Sequence, residues 1–197
     1  MRQGMETGQD KPVARQLTDF AQVEALYEER LKKDFVRSEL RPLSSMRRSW
    51  ERGAYDCYGL FDGDKILGYA LFVRLGNNYL LDYLAIAEER RDEGLGSAFL
   101  RRLADGMKEA NCMVVEVEDP DRAGDAESRA IRERRLQFYL RNGYRDTELR
   151  SVVFGVAYRI LEVPTAGSHT TGELREVYRE LYRSILPGRF FHTQFHI

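Results

Sequence analysis

The stretch Leu81-Asp82-Tyr83-Leu84-Ala85-Ile86-Ala87-Glu88-Glu89-Arg90-Arg91-Asp92-Glu93-Gly94-Leu95-Gly96-Ser97 reads as an apolar strand, a charged turn and a glycine-bearing helix start. Free amides at the start of a helix point outward and the dipole there is positive, so a pyrophosphate can rest against Glu93 to Ser97. Gly94 and Gly96 let an anion come close to that backbone. Two neighbouring patterns fail. Phe99 stands where a G-x-G-x-x-G fingerprint needs its third glycine, and no G-K-[ST] exists for a P-loop, which argues against dinucleotide and NTP binding.

Outward from this stretch, the elements alternate in period. Lys11 to Leu17 suits a first strand, and Thr18 or Asp19 can cap a helix whose stripe is Phe20, Val23, Tyr27, Leu31 and Phe35. Ser44 or Ser45 can cap a short helix through Trp50. Tyr55 to Phe61, Lys65 to Arg74 and Tyr79 to Ala87 follow as strands with turns at Asp62-Gly63-Asp64 and Gly76-Asn77-Asn78, an antiparallel meander. A helix from Leu95, striped by Ala98, Phe99, Leu103, Met107 and Ala110, leads to the strand Met113 to Val117 through a parallel crossover.

After the polar loop Asp119 to Asp125, an arginine-rich helix from Ala126 to Arg141 carries Ile131, Phe138 and Tyr139 on its apolar side and stops at Asn142-Gly143. Two strands, Tyr144 to Phe154 and Ala157 to Val163, meet at Gly155. The fold class is therefore α+β: a mixed, mostly antiparallel central sheet flanked by helices, with a C-terminal helical extension. We divide the chain into a flexible leader at 1–11, a core domain at 12–164 and an extension at 165–197. In the extension, Leu174, Val177, Tyr178, Leu181, Tyr182 and Ile185 stripe one helix ahead of the aromatic tail Phe190 to Ile197. That stripe must be covered, by the same subunit, by a partner in a homodimer, or by serving as a lid over a substrate.

Composition narrows the classes. In 197 residues, 31 Lys+Arg meet 32 Asp+Glu for a net charge of −1, which argues against an obligate nucleic-acid binder. The apolar runs fall far short of the roughly 18 residues that span a membrane, and the start, Met1 to Lys11, has no signal-peptide pattern. We expect a soluble, cytoplasmic protein. Cys57 and Cys112 each sit in an apolar run and read as core fillers. His169, His192 and His196 lack a carboxylate or cysteine partner at ligand spacing, so no metal site is expected.

Arg91-Asp92-Glu93-Gly94-Leu95-Gly96 fits the [RQ]-x-x-G-x-[GA] signature, and Phe138-Tyr139-Leu140-Arg141-Asn142-Gly143-Tyr144 fits the aromatic-Tyr pair that closes a later helix. With the order of elements from Val13 to Val163, these motifs resemble the GCN5-related N-acetyltransferase (GNAT) family. The resemblance implies acetyl-CoA as donor and an amine as acceptor. It implies that backbone at Leu84, Ala85 and Ile86 meets the pantetheine arm, and that amides from Arg91, Asp92, Glu93, Gly94, Leu95, Gly96 and Ser97 hold the pyrophosphate. It also implies a sheet splayed between the central strand and Met113 to Glu118, and Tyr139 as the acid that protonates the departing sulfur.

Amide formation further needs a base to strip the amine. A glutamate that some family members carry on the central strand falls at Leu80. Asp82, two residues on and facing the same side, is one candidate base; Glu116 and Glu118, on one face of the strand across the splay, are rivals. Arg132 stands where family members often place an asparagine. Arg135 and Arg141 are candidates for the 3'-phosphate of coenzyme A, against the plainer reading of a solvated face paired with Glu127 and Glu133. A small cationic amine, a protein N-terminus and a peptide lysine all remain open as acceptors. A non-catalytic coenzyme A-binding or interaction module, or an acyltransferase with another donor, is the alternative reading.

Overall fold

The computed structural model describes residues 11–37, 39–167 and 169–197; the expected leader therefore falls outside the described residues except for Lys11. An eight-stranded sheet in the order β1-β2-β3-β4-β5-β7-β6-β8 forms the middle layer. Its strands are β1 (Val13–Gln16), β2 (Tyr55–Asp62), β3 (Lys65–Leu75), β4 (Asn78–Ile86), β5 (Cys112–Glu118), β6 (Arg145–Val153), β7 (Val156–Val163) and β8 (Phe195–His196). All neighbours are antiparallel except β4 and β5, which run parallel. That parallel pair is the crossover the sequence predicts, made through α4 (Leu95–Gly106).

Each sheet face carries its own apolar cluster. On one face lie α1 (Phe20–Leu26), α2 (Lys32–Asp34), α3 (Leu43–Glu51) and α6 (Thr171–Ile185), packed over Tyr69, Leu71, Val73, Leu80 and Val114. On the other, α4 and α5 (Ala126–Arg141) cover Ala70, Phe72, Leu81, Val115 and Leu161. Successive residues of β3 and β4 join opposite clusters, Tyr69, Leu71 and Val73 on one face and Ala70 and Phe72 on the other, as the two-residue period of a strand requires.

Several local expectations are corrected. The first helix is interrupted by a π-helical stretch, Tyr27–Leu31, where the sequence pattern predicts a regular helix; Tyr27 and Leu31 are nevertheless both buried. Ser44 and Ser45 lie inside α3, which starts after Pro42 with no side-chain cap. On α5, Ile131 is 41% exposed, because at this part of the helix Arg132, paired with Glu118, is the residue turned inward; Leu136 is buried instead.

The extension docks on its own subunit. Leu174, Tyr178, Leu181, Tyr182 and Ile185 are buried in the same cluster as α1 and the sheet. After α7 (Gly188–Gln194), β8 pairs with β6 at Val152 and Val153. A buried network ties the preceding linker down: His169 Nδ1 lies 2.5 Å from Glu162 Oε1, Arg145 pairs with the other oxygen of Glu162, and Cys112 Sγ sits 3.9 Å away. His169 thus has the carboxylate and cysteine neighbours that the sequence spacing did not reveal, because β5 and β7 bring them together. Both cysteines are buried; burial pushes the Cys112 thiol up to about 12 and raises that of Cys57 as well, so both stay protonated. No helix among the described residues is long and apolar enough to cross a membrane.

Candidate functional site

The parallel pairing of β4 with β5 runs only from Asn78 opposite Cys112 to Leu81 opposite Val115. Beyond it the strands part. β4 continues to Ile86 paired on its β3 side alone, and β5 continues to Glu118 paired on its β7 side alone. The edges of 82–86 and 116–118 that face the gap therefore offer backbone groups to a ligand. Leu84, Ala85 and Ile86 lie on this open edge, half-buried.

The gap opens toward the start of α4. Gly94, its N-cap, has φ of 75°, and Asp92 has φ of 64°, so the turn from Arg91 to Gly94 contains two left-handed residues. Leu95, Gly96 and Ser97 follow as the first helical residues, whose amides have no intrahelical acceptor. Arg90 closes the turn through Nε, 2.8 Å from both carboxylate oxygens of Glu93, and Arg91 Nε approaches Ile86 O at 3.4 Å. The two glycines differ in what they do. A side chain at Gly94 would meet nothing within 4 Å, so its backbone conformation is the requirement; a Cβ at Gly96 would stand 3.3 Å from the Phe138 ring and 3.6 Å from Ile86. Gly96 lets α4 seat against both β4 and α5.

On α5, Tyr139 is packed edge-on between Phe138 and Tyr144, each with ring centroids 5.2 Å away. Burial raises its phenol well above the ordinary range, partly offset by Arg135, and no residue among those described hydrogen-bonds its hydroxyl. Arg135 itself is committed to Glu118 at 3.0 Å, together with Arg132 at 3.0 Å. Arg141 is exposed and makes no ion pair among the described residues; it lies one helical turn beyond Phe138, the ring that touches Gly96.

The three candidate bases have different surroundings. Asp82 is a bulged residue: Leu71 faces Tyr83 and Phe72 faces Leu81, leaving it without a partner on β3. Its carboxylate is gripped by Arg41, with Nε and Nη2 each at 3.1 Å, and by the Tyr55 hydroxyl at 2.5 Å. Glu118 is held by the two arginines of α5. Glu116 has no cationic partner among the described residues. Its Oε1 accepts hydrogen bonds from the hydroxyls of Tyr178 and of Tyr182, the latter at 2.6 Å, and it stays partly open. Burial pushes its carboxyl up to about 7; the two tyrosines hold it down, Asp82 adds to the rise and Arg41 subtracts.

Sequence reasoning missed Arg41, Tyr55, Tyr83, Tyr178 and Tyr182. The Tyr83 hydroxyl accepts from Arg41 N–H and donates to Glu39 O, both at 2.8 Å, pinning that segment over β4. A usable signal existed only for the last pair: two tyrosines four apart in an otherwise aliphatic stripe bring buried hydroxyls that need partners. A separate cavity of about 650 Å³, lined by Arg122, Arg132, Arg150, Tyr158 and the terminal His196 and Ile197, lies near the β6–β7 hairpin. It contains none of the open strand edge or the α4 start, so the candidate donor site is the splay.

The fold matches solved acetyltransferases along nearly their whole length. A GNAT-family acetyltransferase from Bacteroides thetaiotaomicron superposes with a TM-score of 0.68 at 22% identity, covering 88% of this chain and 97% of that one. The ribosomal-protein-S18-alanine N-acetyltransferase of Escherichia coli gives 0.54 at 15% identity, with 80% and 96% covered. An aminoglycoside 6'-N-acetyltransferase complexed with coenzyme A gives 0.53 at 13% identity, with 76% and 95% covered. No curated protein matches the chain. The family model of the acetyltransferase (GNAT) family matches residues 21–126, from the first helix through the splayed strands and the α4 turn to the start of α5, and the chain belongs to that family.

Proposed function

We propose that the protein transfers the acetyl group of acetyl-CoA to a primary amine by direct attack on the thioester. The observation that carries this reading is the parallel β4–β5 pair that ends at Leu81 and Val115 and opens toward the amides of Leu95 to Ser97. Open strand backbone suits the pantetheine amides, and a helix start suits the pyrophosphate. The coenzyme A complex of a similarly folded aminoglycoside acetyltransferase supports the same donor.

In the reaction, the amine nitrogen bonds to the acetyl carbonyl carbon, the carbon–sulfur bond breaks, and the amine proton passes to a base. Glu116 is the base we assign. Asp82 and Glu118 are already neutralised by arginines, whereas Glu116 is partly open and titrates close to neutrality. Tyr139, kept protonated by burial, gives the proton to the departing sulfur. Glu39 and Glu116, which form no ion pair among the described residues, both act on Tyr158 of β7, and this uncompensated negative charge favours a cationic acceptor.

Thermal unfolding with acetyl-CoA, ATP and NAD tests the donor. Acetyl-CoA at about a hundred times its Kd stabilises by about 2.7 kcal/mol, a rise of several degrees in Tm. Thiol release from acetyl-CoA is then followed with spermidine, an aminoglycoside and an alanine-initiated peptide. A Tm shift without thiol release for any amine would favour a coenzyme A-binding module, and no shift at all would remove the donor site.

A further inference from the structure

Two phenols from one helix converge on a single oxygen of Glu116. Tyr178 and Tyr182 stand four apart on α6 and both donate to Oε1, while Oε2 has no hydrogen-bond partner among the described residues. The arrangement has a fixed direction. Tyr178 is also 2.9 Å from the buried Ser151 Oγ, so when its proton points to the carboxylate it accepts from Ser151 in turn. The rings have little freedom to swing away. They meet edge-on at 5.1 Å, and Phe195 of β8 stacks on Tyr182 at 4.6 Å and lies 5.4 Å from Tyr178. Helix α6 lies outside residues 21–126, the part matched by the family model.

We propose that Tyr178 and Tyr182 are positioning residues for acetyl transfer: α6 fastens Oε1 of Glu116 so that Oε2 alone faces the gap and takes the amine proton. This rests on the reading of Glu116 as the base. A carboxylate with one oxygen tied by two hydroxyls cannot rotate to satisfy itself elsewhere, and the remaining oxygen presents its lone pairs in a constant direction. Hydrogen bonds to the ionised carboxylate also favour that state over the protonated one, opposing the effect of burial. The other charged or titratable groups facing Glu116 are Asp82 of β4, Arg41 ahead of α3 and Tyr158 of β7. Asp82 and Arg41 are paired with each other, so their opposed effects on Glu116 largely cancel.

The test is a carboxyl titration of the full chain labelled with 13C at glutamate Cδ, followed by NMR, with the Glu116→Gln variant identifying the resonance. Tyr182→Phe and Tyr178→Phe are each expected to move the Glu116 midpoint upward by about one pH unit, the size of one charge-assisted hydrogen bond. Ser151→Ala, which touches neither Glu116 nor Tyr182, is expected to move it upward by less. A midpoint unchanged in all three variants would overturn the proposal while leaving the base assignment standing. Wild-type thiol release by Glu116→Gln would instead remove the base, and with it the positioning role of the tyrosines, even if the midpoint shifts.

Discussion

Arg41 and Asp82 form a two-pronged ion pair, Nε to Oδ2 and Nη2 to Oδ1 at 3.1 Å each, that fastens the segment ahead of α3 to the bulge of β4. Both side chains are only about a tenth exposed, 12% and 11%. Burial lowers the guanidinium's affinity for its proton, but Asp82 and Tyr55 more than restore it, so Arg41 stays charged. Replacing Arg41 by alanine leaves a buried carboxylate facing Tyr55 alone and is expected to cost about 3–5 kcal/mol. Denaturant unfolding checks this; a loss below about 1 kcal/mol, the range of exposed pairs, would mean that water reaches Asp82 freely.

Glu116→Gln separates chemistry from stability. A carboxyl raised in the folded state binds its proton more tightly than the unfolded chain does. Its contribution is full below the unfolded value of 4.5 and is lost as pH rises through about 7. The variant is therefore expected to melt a few degrees above the wild type at pH 8 and to show little gain at pH 5, while losing most of its thiol release at pH 8, where the wild-type carboxylate is ionised. Wild-type kcat/KM should rise through pH 7, since the ionised carboxylate is the active state.

Tyr139→Phe is expected to lower turnover roughly a hundredfold, with little change in acetyl-CoA affinity or Tm. The hydroxyl has no partner to lose among the described residues, and the ring contacts with Phe138 and Tyr144 remain. Steady-state kinetics beside calorimetric titration decides it, and unchanged turnover would dismiss this phenol as the acid.

Gly94 distinguishes backbone from bulk. With φ of 75° and open space around a would-be Cβ, asparagine should be tolerated, whereas valine should cost roughly 1–2 kcal/mol and weaken acetyl-CoA binding by distorting the first amides of α4. Equal donor affinity in the two variants would mean that the left-handed turn does not set those amides.

Arg141→Ala should weaken coenzyme A about tenfold and leave dephospho-coenzyme A unaffected, because the exposed guanidinium lacks a protein partner among the described residues. Arg135→Ala should do less to either ligand, being already paired with Glu118. A parallel loss for both ligands at Arg141 would move its contact away from the 3'-phosphate.

Much of the architecture was legible because strand and helix periods differ and glycines punctuate them. The meander from Tyr55 to Ile86, the crossover through α4 and the Phe154-Gly155 turn, with φ of 48° and 81°, follow from such local patterns. The π-helical stretch at Tyr27–Leu31 and the bulge at Asp82 were not legible. Each inserts a residue whose place is set by packing across the sheet rather than by its neighbours in sequence. The same holds at the candidate site. Asp82, Glu116 and Glu118 look alike along the chain, and what distinguishes them, Arg41, the α6 tyrosines and the α5 arginines, arrives from distant elements. The stripe of α6 was visible as apolar, but its two hydroxyls have meaning only beside β5.

Because α6 fills the same cluster as α1 and strands β2 to β4, those early segments wait for residues 171–185 before one sheet face is covered. During synthesis the growing chain thus has that face covered only by α1 to α3 until α6 has emerged, a period in which chaperone capture or aggregation competes with folding. Premature termination after β7 would yield a chain containing the entire α4 turn and the splay sequence, yet lacking the part of the cover that Leu174, Tyr178, Leu181, Tyr182 and Ile185 supply to that hydrophobic face. Ribosome-bound chains of increasing length should accordingly become protease-resistant in one late step rather than gradually.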